Sequence, residues 1–158
     1  MEDAIVIYTS RTGFTQQYAL WVARELHCEV LDSKFVTKTD LQGRRIIIYG
    51  GHVVGHHVTG FRSFLGKYQQ VCHRRLVVFG TGMRPETSLD LVSVAQTTNQ
   101  LMADKQPFFY FQGEVETQAI PLWRRAWIAY FKHRYQSELS CSQQIRVDPL
   151  VRHVEQMI

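Results

Sequence analysis

Residues 9 to 15, Thr-Ser-Arg-Thr-Gly-Phe-Thr, put four hydroxyl side chains, one arginine and one glycine between an apolar run, Ile5 to Tyr8, and a stretch with helical periodicity. Unpaired backbone N–H groups and the positive end of the dipole make a helix N-terminus a natural site for an anion, and hydroxyls add neutral donors around it. An ordinary cap accounts for one or two of these hydroxyls, Thr12 or Thr15, and leaves the others and Gly13 unexplained. The loop therefore reads as a phosphate site. It is neither of the common nucleotide loops, because GxxxxGK with a following Ser or Thr is absent and Gly13 stands alone where GxGxxG would need three.

Histidines form the second cluster with chemistry in it. His52, His56 and His57 lie within six residues, and three imidazoles could ligate zinc. Adjacent His56 and His57 tend to diverge, and no acidic or thiol partner is near in sequence, so no metal is expected. His52 and His56 are the candidates for exchanging a proton with a substrate or cofactor, since imidazole titrates near neutrality; surface histidines without chemistry are the alternative.

The elements that must position these residues follow from the apolar pattern. Strands are expected at Ala4–Tyr8, Glu29–Leu31, Arg45–Tyr49, Leu76–Phe79 and Phe108–Phe111, and helices at Phe14–Leu26, Gly60–Tyr68 and Ser88–Met102. In the first helix Tyr18, Val22 and Leu26 share one side and Trp21 and Glu25 a neighbouring track, the spacing of a packed helix. Asp40-Leu41-Gln42-Gly43 reads as a turn or a short helical turn. Alternation of this kind predicts an α/β domain with a parallel sheet covered on both faces, in which ligands bind at the carboxyl ends of the strands. The chain has 158 residues, the size of one domain. Cys28, Cys72 and Cys141 are odd in number and widely spaced, which suggests neither a disulfide framework nor a zinc knuckle. The acidic start, Met1-Glu2-Asp3, and the lack of a long apolar run lead to the expectation of a cytoplasmic protein. A net charge of +4 points towards an anionic partner.

Ser10-Arg11-Thr12-Gly13-Phe14-Thr15, directly after a first strand, resembles the Ser/Thr-x-Thr-Gly-x-Thr phosphate loop of the flavodoxin family. Gly50-Gly51-His52-Val53-Val54-Gly55 and Gly80-Thr81-Gly82-Met83 stand where that family has the two loops that embrace the isoalloxazine ring. Within it, "YGGHVVGHHVTGFRSFL" and "FFYFQGEVETQAIPLW" resemble segments of the group that includes the menaquinone-dependent protoporphyrinogen oxidases. The resemblance covers roughly residues 4 to 135. It implies a flavodoxin-like three-layer sandwich, a five-stranded parallel sheet of order 2-1-3-4-5, and non-covalent FMN. By the same resemblance, Ser10, Arg11, Thr12, Gly13, Phe14 and Thr15 would hold the phosphate. Gly50, Gly51, His52, Val53 and Val54 with Gly80, Thr81, Gly82 and Met83 would line the ring, His52, Val53 and Met83 being the side chains that could stack on it. Glycine-rich turns suit this, because backbone groups then supply the hydrogen bonds to the polar edge of the ring.

A minimal domain of this type needs one helix after its last strand, whereas residues 112–146 form a longer segment. In it "IPLWRRAWIAYFKHRYQ" places Trp123, Trp127, Tyr130 and Phe131 on one helical stripe with Arg125 and Lys132 opposite. Such a helix packs on its own domain or on a second subunit of a homodimer; a peripheral membrane or quinone-facing element is the sharper alternative. "DPLVRHVEQMI" reads as a terminal helix with Asp148 as N-cap, Pro149 at its first position and Leu150, Val151 and Val154 facing inwards. Flavodoxin carriers are typically acidic, whereas Arg11 and Arg84 here sit in or beside the loops implied to hold flavin. Positive charge there favours an anionic reduced flavin and attracts a carboxylate-bearing substrate; Arg62, Arg74 and Arg75 read as ordinary surface charges. The expected function is therefore an FMN-dependent oxidoreductase of the protoporphyrinogen oxidase type, with porphyrinogen, quinone or a redox protein as partner and no nucleic acid. A flavodoxin-type electron carrier is the alternative, and a flavin-free binding or regulatory module a third reading.

Overall fold

Alternate side chains of each apolar run go to opposite faces of one sheet, as the two-residue period of a strand requires. Ala4, Val6 and Tyr8, Ile46 and Ile48, and Val77 and Phe79 enter one core with Tyr18, Val22 and Leu26 and with Val147, Leu150 and Val154. Ile5 and Ile7, Ile47 and Tyr49, and Leu76 and Val78 enter the other with Phe61, Phe64, Tyr68 and Val94. The architecture was obtained as a computed structural model that describes residues 2–70, 75–84, 86–112 and 141–158.

In chain order the elements are β1 (Ala4–Thr9), α1 (Phe14–Glu25), β2 (Glu29–Asp32), α2 (Lys38–Leu41), β3 (Ile46–Val54), β4 (His57–Val58), α3 (Phe61–Tyr68), β5 (Arg75–Gly82), α4 (Leu91–Gln100), β6 (Phe108–Gln112) and α5 (Cys141–Gln156). The parallel strands lie in the order β2-β1-β3-β5-β6, and β4 pairs antiparallel with the outer end of β3. Counting the parallel strands alone, this is the expected 2-1-3-4-5 arrangement of a flavodoxin-like sandwich, enlarged by one short hairpin strand. Helices α1 and α5 cover one face, and α3 and α4 the other.

Four boundaries differ markedly from the sequence expectation. β3 continues five residues past Tyr49 and β5 three past Phe79, so Gly50 to Val54 and Gly80 to Gly82 are strand rather than loop. They pair directly, Gly50 with Phe79, Gly51 with Gly80 and His52 with Thr81. A 3-10 turn at Glu86–Ser88 precedes α4, which starts only at Leu91, with Asp90 as its N-cap. The last helix begins before Asp148 and carries Pro149 inside it. Asp148 therefore does not cap; its carboxylate faces Arg152 one turn on, at 3.9 Å. A proline inside a helix removes one intrahelical hydrogen bond, and the inward burial of Leu150, Val151 and Val154 holds this helix against the sheet regardless. Phe109 also packs on this face, its ring 5.7 Å from that of His153. The aromatic and basic stretch at 121–137 lies outside the described residues.

Candidate functional site

The carboxyl ends of β1, β3 and β5 bring together the three segments singled out in the sequence. At the end of β1, Gly13 is the N-cap of α1 with φ +88°, a conformation that favours glycine, and no side chain caps the helix. Thr12 and Thr15 thus do not serve as caps, because Gly13 itself occupies that position. The Gly13 N–H donates to Ser10 Oγ at 3.0 Å, and the first intrahelical bond runs from Gln17 N–H to the Gly13 carbonyl. The N–H groups of Phe14, Thr15 and Gln16 precede that bond and point out of the helix end. No acidic residue stands in the first turn, Arg11 and Thr12 are exposed, and a Cβ at Gly13 would meet nothing within 4 Å. An open, cationic, donor-rich end of this kind fits a phosphate. Phe14 offers only its N–H, since its ring packs edge-on against Tyr18.

Thr15 faces inwards. Its hydroxyl lies 2.7 Å from that of Thr81 in β5, and both side chains are buried. The first turn of α1 and the end of β5 are therefore tied across the α1 face of the sheet.

A second hydroxyl chain joins the ends of β1, β2 and β3. Thr9 Oγ1 lies 2.8 Å from Ser33 Oγ and 2.6 Å from the Tyr49 hydroxyl, which in turn donates to the Thr59 carbonyl at 3.0 Å. A carbonyl only accepts, so Tyr49 spends its proton on Thr59; Thr9 must then donate to Tyr49 and Ser33 to Thr9. Burial pushes the Tyr49 phenol up to about 12, against the opposing effect of its bond with Thr9. Gly60, at φ +77°, completes the junction, because a Cβ there would lie 2.6 Å from the Tyr49 hydroxyl and 2.7 Å from Thr9 Oγ1. The sequence reading missed Tyr49, Ser33, Thr59 and Gly60. The available signal was a tyrosine ending an Ile-Ile-Ile run, at a position where a hydroxyl reaches the strand ends.

The glycines expected around a ring have packing reasons of their own. A Cβ at Gly50 would fall 2.1 Å from the Phe79 ring, at Gly80 2.4 Å from Val53, and at Gly82 2.6 Å from the Tyr110 hydroxyl. A Cβ at Gly51 would fall 2.6 Å from the Thr59 carbonyl oxygen. Neighbouring side chains thus fill the space these glycines leave. Val53 is buried in the core, so of the residues expected to line a ring those whose side chains face outwards are His52, Val54 and Met83, the latter two each 59% exposed. Tyr110 donates to the Arg84 carbonyl at 2.7 Å and so anchors the segment after β5.

The hairpin between β3 and β4 carries the histidines outwards: His52, His56 and His57 are exposed. The His52 carbonyl accepts from both the N–H and the hydroxyl of Thr59, each at 2.8 Å. Asp90 is held below the usual carboxylate range by the Ser93 hydroxyl and N–H, with a smaller contribution from the His56 charge. Among the described residues, no three His, Cys, Asp or Glu side chains are grouped so as to hold one metal ion, and no helix is long and apolar enough to cross a membrane.

Several solved structures share this fold. A flavodoxin from the domain Archaea is 17% identical, with a TM-score of 0.55 over 82% of this chain and 95% of its own. A WrbA-like flavodoxin from Agrobacterium tumefaciens is 15% identical, with a TM-score of 0.53 over 85% of this chain and all of its own. A putative flavoprotein from Bacteroides eggerthii is 12% identical, with a TM-score of 0.55 over 82% of this chain and 99% of its own. No curated protein matches the sequence. The flavodoxin domain family matches residues 5–138, the strand order is that of the fold, and the chain belongs to that family.

Proposed function

We propose that this protein is an FMN-dependent oxidoreductase of the protoporphyrinogen oxidase type, with a reduced, carboxylate-bearing small molecule as its substrate. The observation that carries the reading is the charge of the carboxyl edge. Arg11 and Arg84 are exposed there, the first turn of α1 contains no acid, and Asp90 is committed to capping α4. FMN, when bound, supplies the electron-transfer chemistry. The chain's own part is to hold the phosphate with Ser10 to Thr15 and to present His52, Val54 and Met83 near the ring. Arg11 and Arg84 would meet substrate carboxylates, and His52 or His56 would move a proton at the exposed rim. The aromatic and basic stretch at 121–137 is proposed as the contact with a quinone, a membrane surface or a second subunit.

Electron transfer without a small-molecule substrate is the second reading. It is favoured by how nearly complete the fold match is to the archaeal flavodoxin, which is covered over 95% of its length. Porphyrinogen oxidation followed by porphyrin fluorescence, with and without a menaquinone analogue, separates the two. Quinone-dependent turnover supports the oxidase. Absent turnover, together with flavin reduction in two resolved one-electron steps, supports the carrier. Protein that retains no flavin contradicts both and leaves a flavin-free module.

A further inference from the structure

We propose that Thr81 is a positioning residue for the FMN phosphate: its hydroxyl donates to Thr15 and so aims the Thr15 proton at a phosphate oxygen. The inference rests on the FMN reading of the site and goes one step deeper into it.

Thr81 ends the stripe Val77, Phe79, Thr81 on the α1 face of β5, beneath the amino end of the helix. It is 0% exposed and Thr15 only 3%, and their oxygens lie 2.7 Å apart. Two hydroxyls carry two protons, and a bond between them uses one. Helical Thr97 and Thr98 donate to the carbonyls of Ser93 and Val94, at 2.9 and 2.8 Å. Among the described residues neither Thr15 nor Thr81 has such an acceptor. One hydroxyl proton of the pair is thus left over in a buried setting, which is costly unless something accepts it.

A phosphate oxygen is an acceptor only, and the place it would take is set by the N–H groups of Phe14, Thr15 and Gln16. Of the two threonines, Thr15 belongs to that turn and Thr81 lies behind it. The polarity follows: Thr81 donates to Thr15, and Thr15 donates to the phosphate. Thr81 would then act on phosphate without touching it. Because Thr81 is also the strand partner of His52 and Phe111, the competing explanation is that it merely supports the segments near the ring. Riboflavin, which has the ring and lacks the phosphate, separates the two.

The experiment is a set of fluorescence titrations of the full-length apoprotein with FMN and with riboflavin, for wild type, T81V and T81S. Circular dichroism and the thermal midpoint serve as folding controls. T81V is expected to weaken FMN by up to about tenfold, the most that misdirecting the single Thr15 hydrogen bond to a charged group can cost, and to leave riboflavin unchanged. T81S is expected to keep the wild-type FMN-to-riboflavin ratio. In the double variant T15V/T81V, FMN should bind no more weakly than in T15V alone, because the two hydroxyls act in series. Equal loss for both flavins, no loss for either, or additive losses in the double variant would overturn the inference while leaving the FMN reading intact. Wild-type protein that binds neither flavin would instead overturn the FMN reading, and this inference with it. Should T81V fail to fold, T81A against T81S gives the same comparison.

Discussion

Tyr49→Phe removes one oxygen atom at the junction of β1, β2 and β3, and its consequences can be worked from the geometry. The Tyr49 hydroxyl accepts from Thr9 at 2.6 Å and donates to the Thr59 carbonyl at 3.0 Å, and the side chain is completely buried. Each bond contributes about 1 kcal/mol net, and a stranded partner adds part of its desolvation cost, which gives a loss of about 2 to 3 kcal/mol. Shape is otherwise conserved, so urea unfolding at neutral pH should show a lower midpoint with an unchanged slope. The alkaline limb provides an independent check. The phenol titrates near 10.0 when unfolded and at about 12 when folded, so between those values the unfolded chain loses a proton that the folded chain keeps. Stability that is fully present below pH 10 therefore falls as pH rises towards 12, by about 3 kcal/mol from this group, and Tyr49→Phe should lack that share of the decline. A loss below about 0.5 kcal/mol at neutral pH, with an alkaline limb identical to that of the wild type, would refute the hydroxyl chain as a structural junction.

In FMN titrations Arg11→Ala should weaken binding modestly, by about threefold, because Arg11 is an exposed and screened charge. Thr12→Ala and Gly13→Val should weaken it more, the latter because φ +88° is strained for a side-chain-bearing residue by about 1 to 2 kcal/mol; a larger loss at Arg11 contradicts this ranking. Gly50→Ala places a methyl 2.1 Å from the Phe79 ring and should cost about 1 to 3 kcal/mol in urea unfolding. Gly66→Ala, in α3 with nothing within 4 Å of the added methyl, should instead stabilise by about 0.5 to 1 kcal/mol. Asp90→Ala removes the acceptor for the Ser93 N–H and hydroxyl. Its carboxylate is held below the ordinary value of 3.8, so the stabilisation is present above that value and lost as pH falls through the folded one. The gap in thermal midpoint between wild type and Asp90→Ala should accordingly be open at pH 6 and close in acid.

The sheet was legible because strand faces alternate without interruption. Ile5 and Ile7 against Val6 and Tyr8, or Leu76 and Val78 against Val77 and Phe79, leave one register that buries both sets. The strand ends were not legible, because Gly50, Gly51, Gly80 and Gly82 carry loop-like composition. Their reason for being in strands is held by distant residues: the ring of Phe79 over Gly50, and the hydroxyl of Tyr110 beside Gly82. Local composition cannot report such contacts. The start of α1 was legible from Ser10 to Thr15 since its logic is local, one glycine and a helix start. Thr15 was singled out for its hydroxyl, but its pairing with Thr81, 66 positions away, was invisible. Asp148-Pro149 misled for the opposite reason. It is a strong local start signal, and the burial of Val147 and Leu150 on either side carries the helix through it.

The central claim is that Ser10 to Thr15 bind the phosphate of FMN, and the visible absorption spectrum of purified protein tests it most directly. After incubation with FMN and removal of the excess by gel filtration, the protein should elute with a flavin spectrum at close to one FMN per chain. It should retain riboflavin less well under the same treatment. A colourless protein peak, or equal retention of FMN and riboflavin, would contradict the claim.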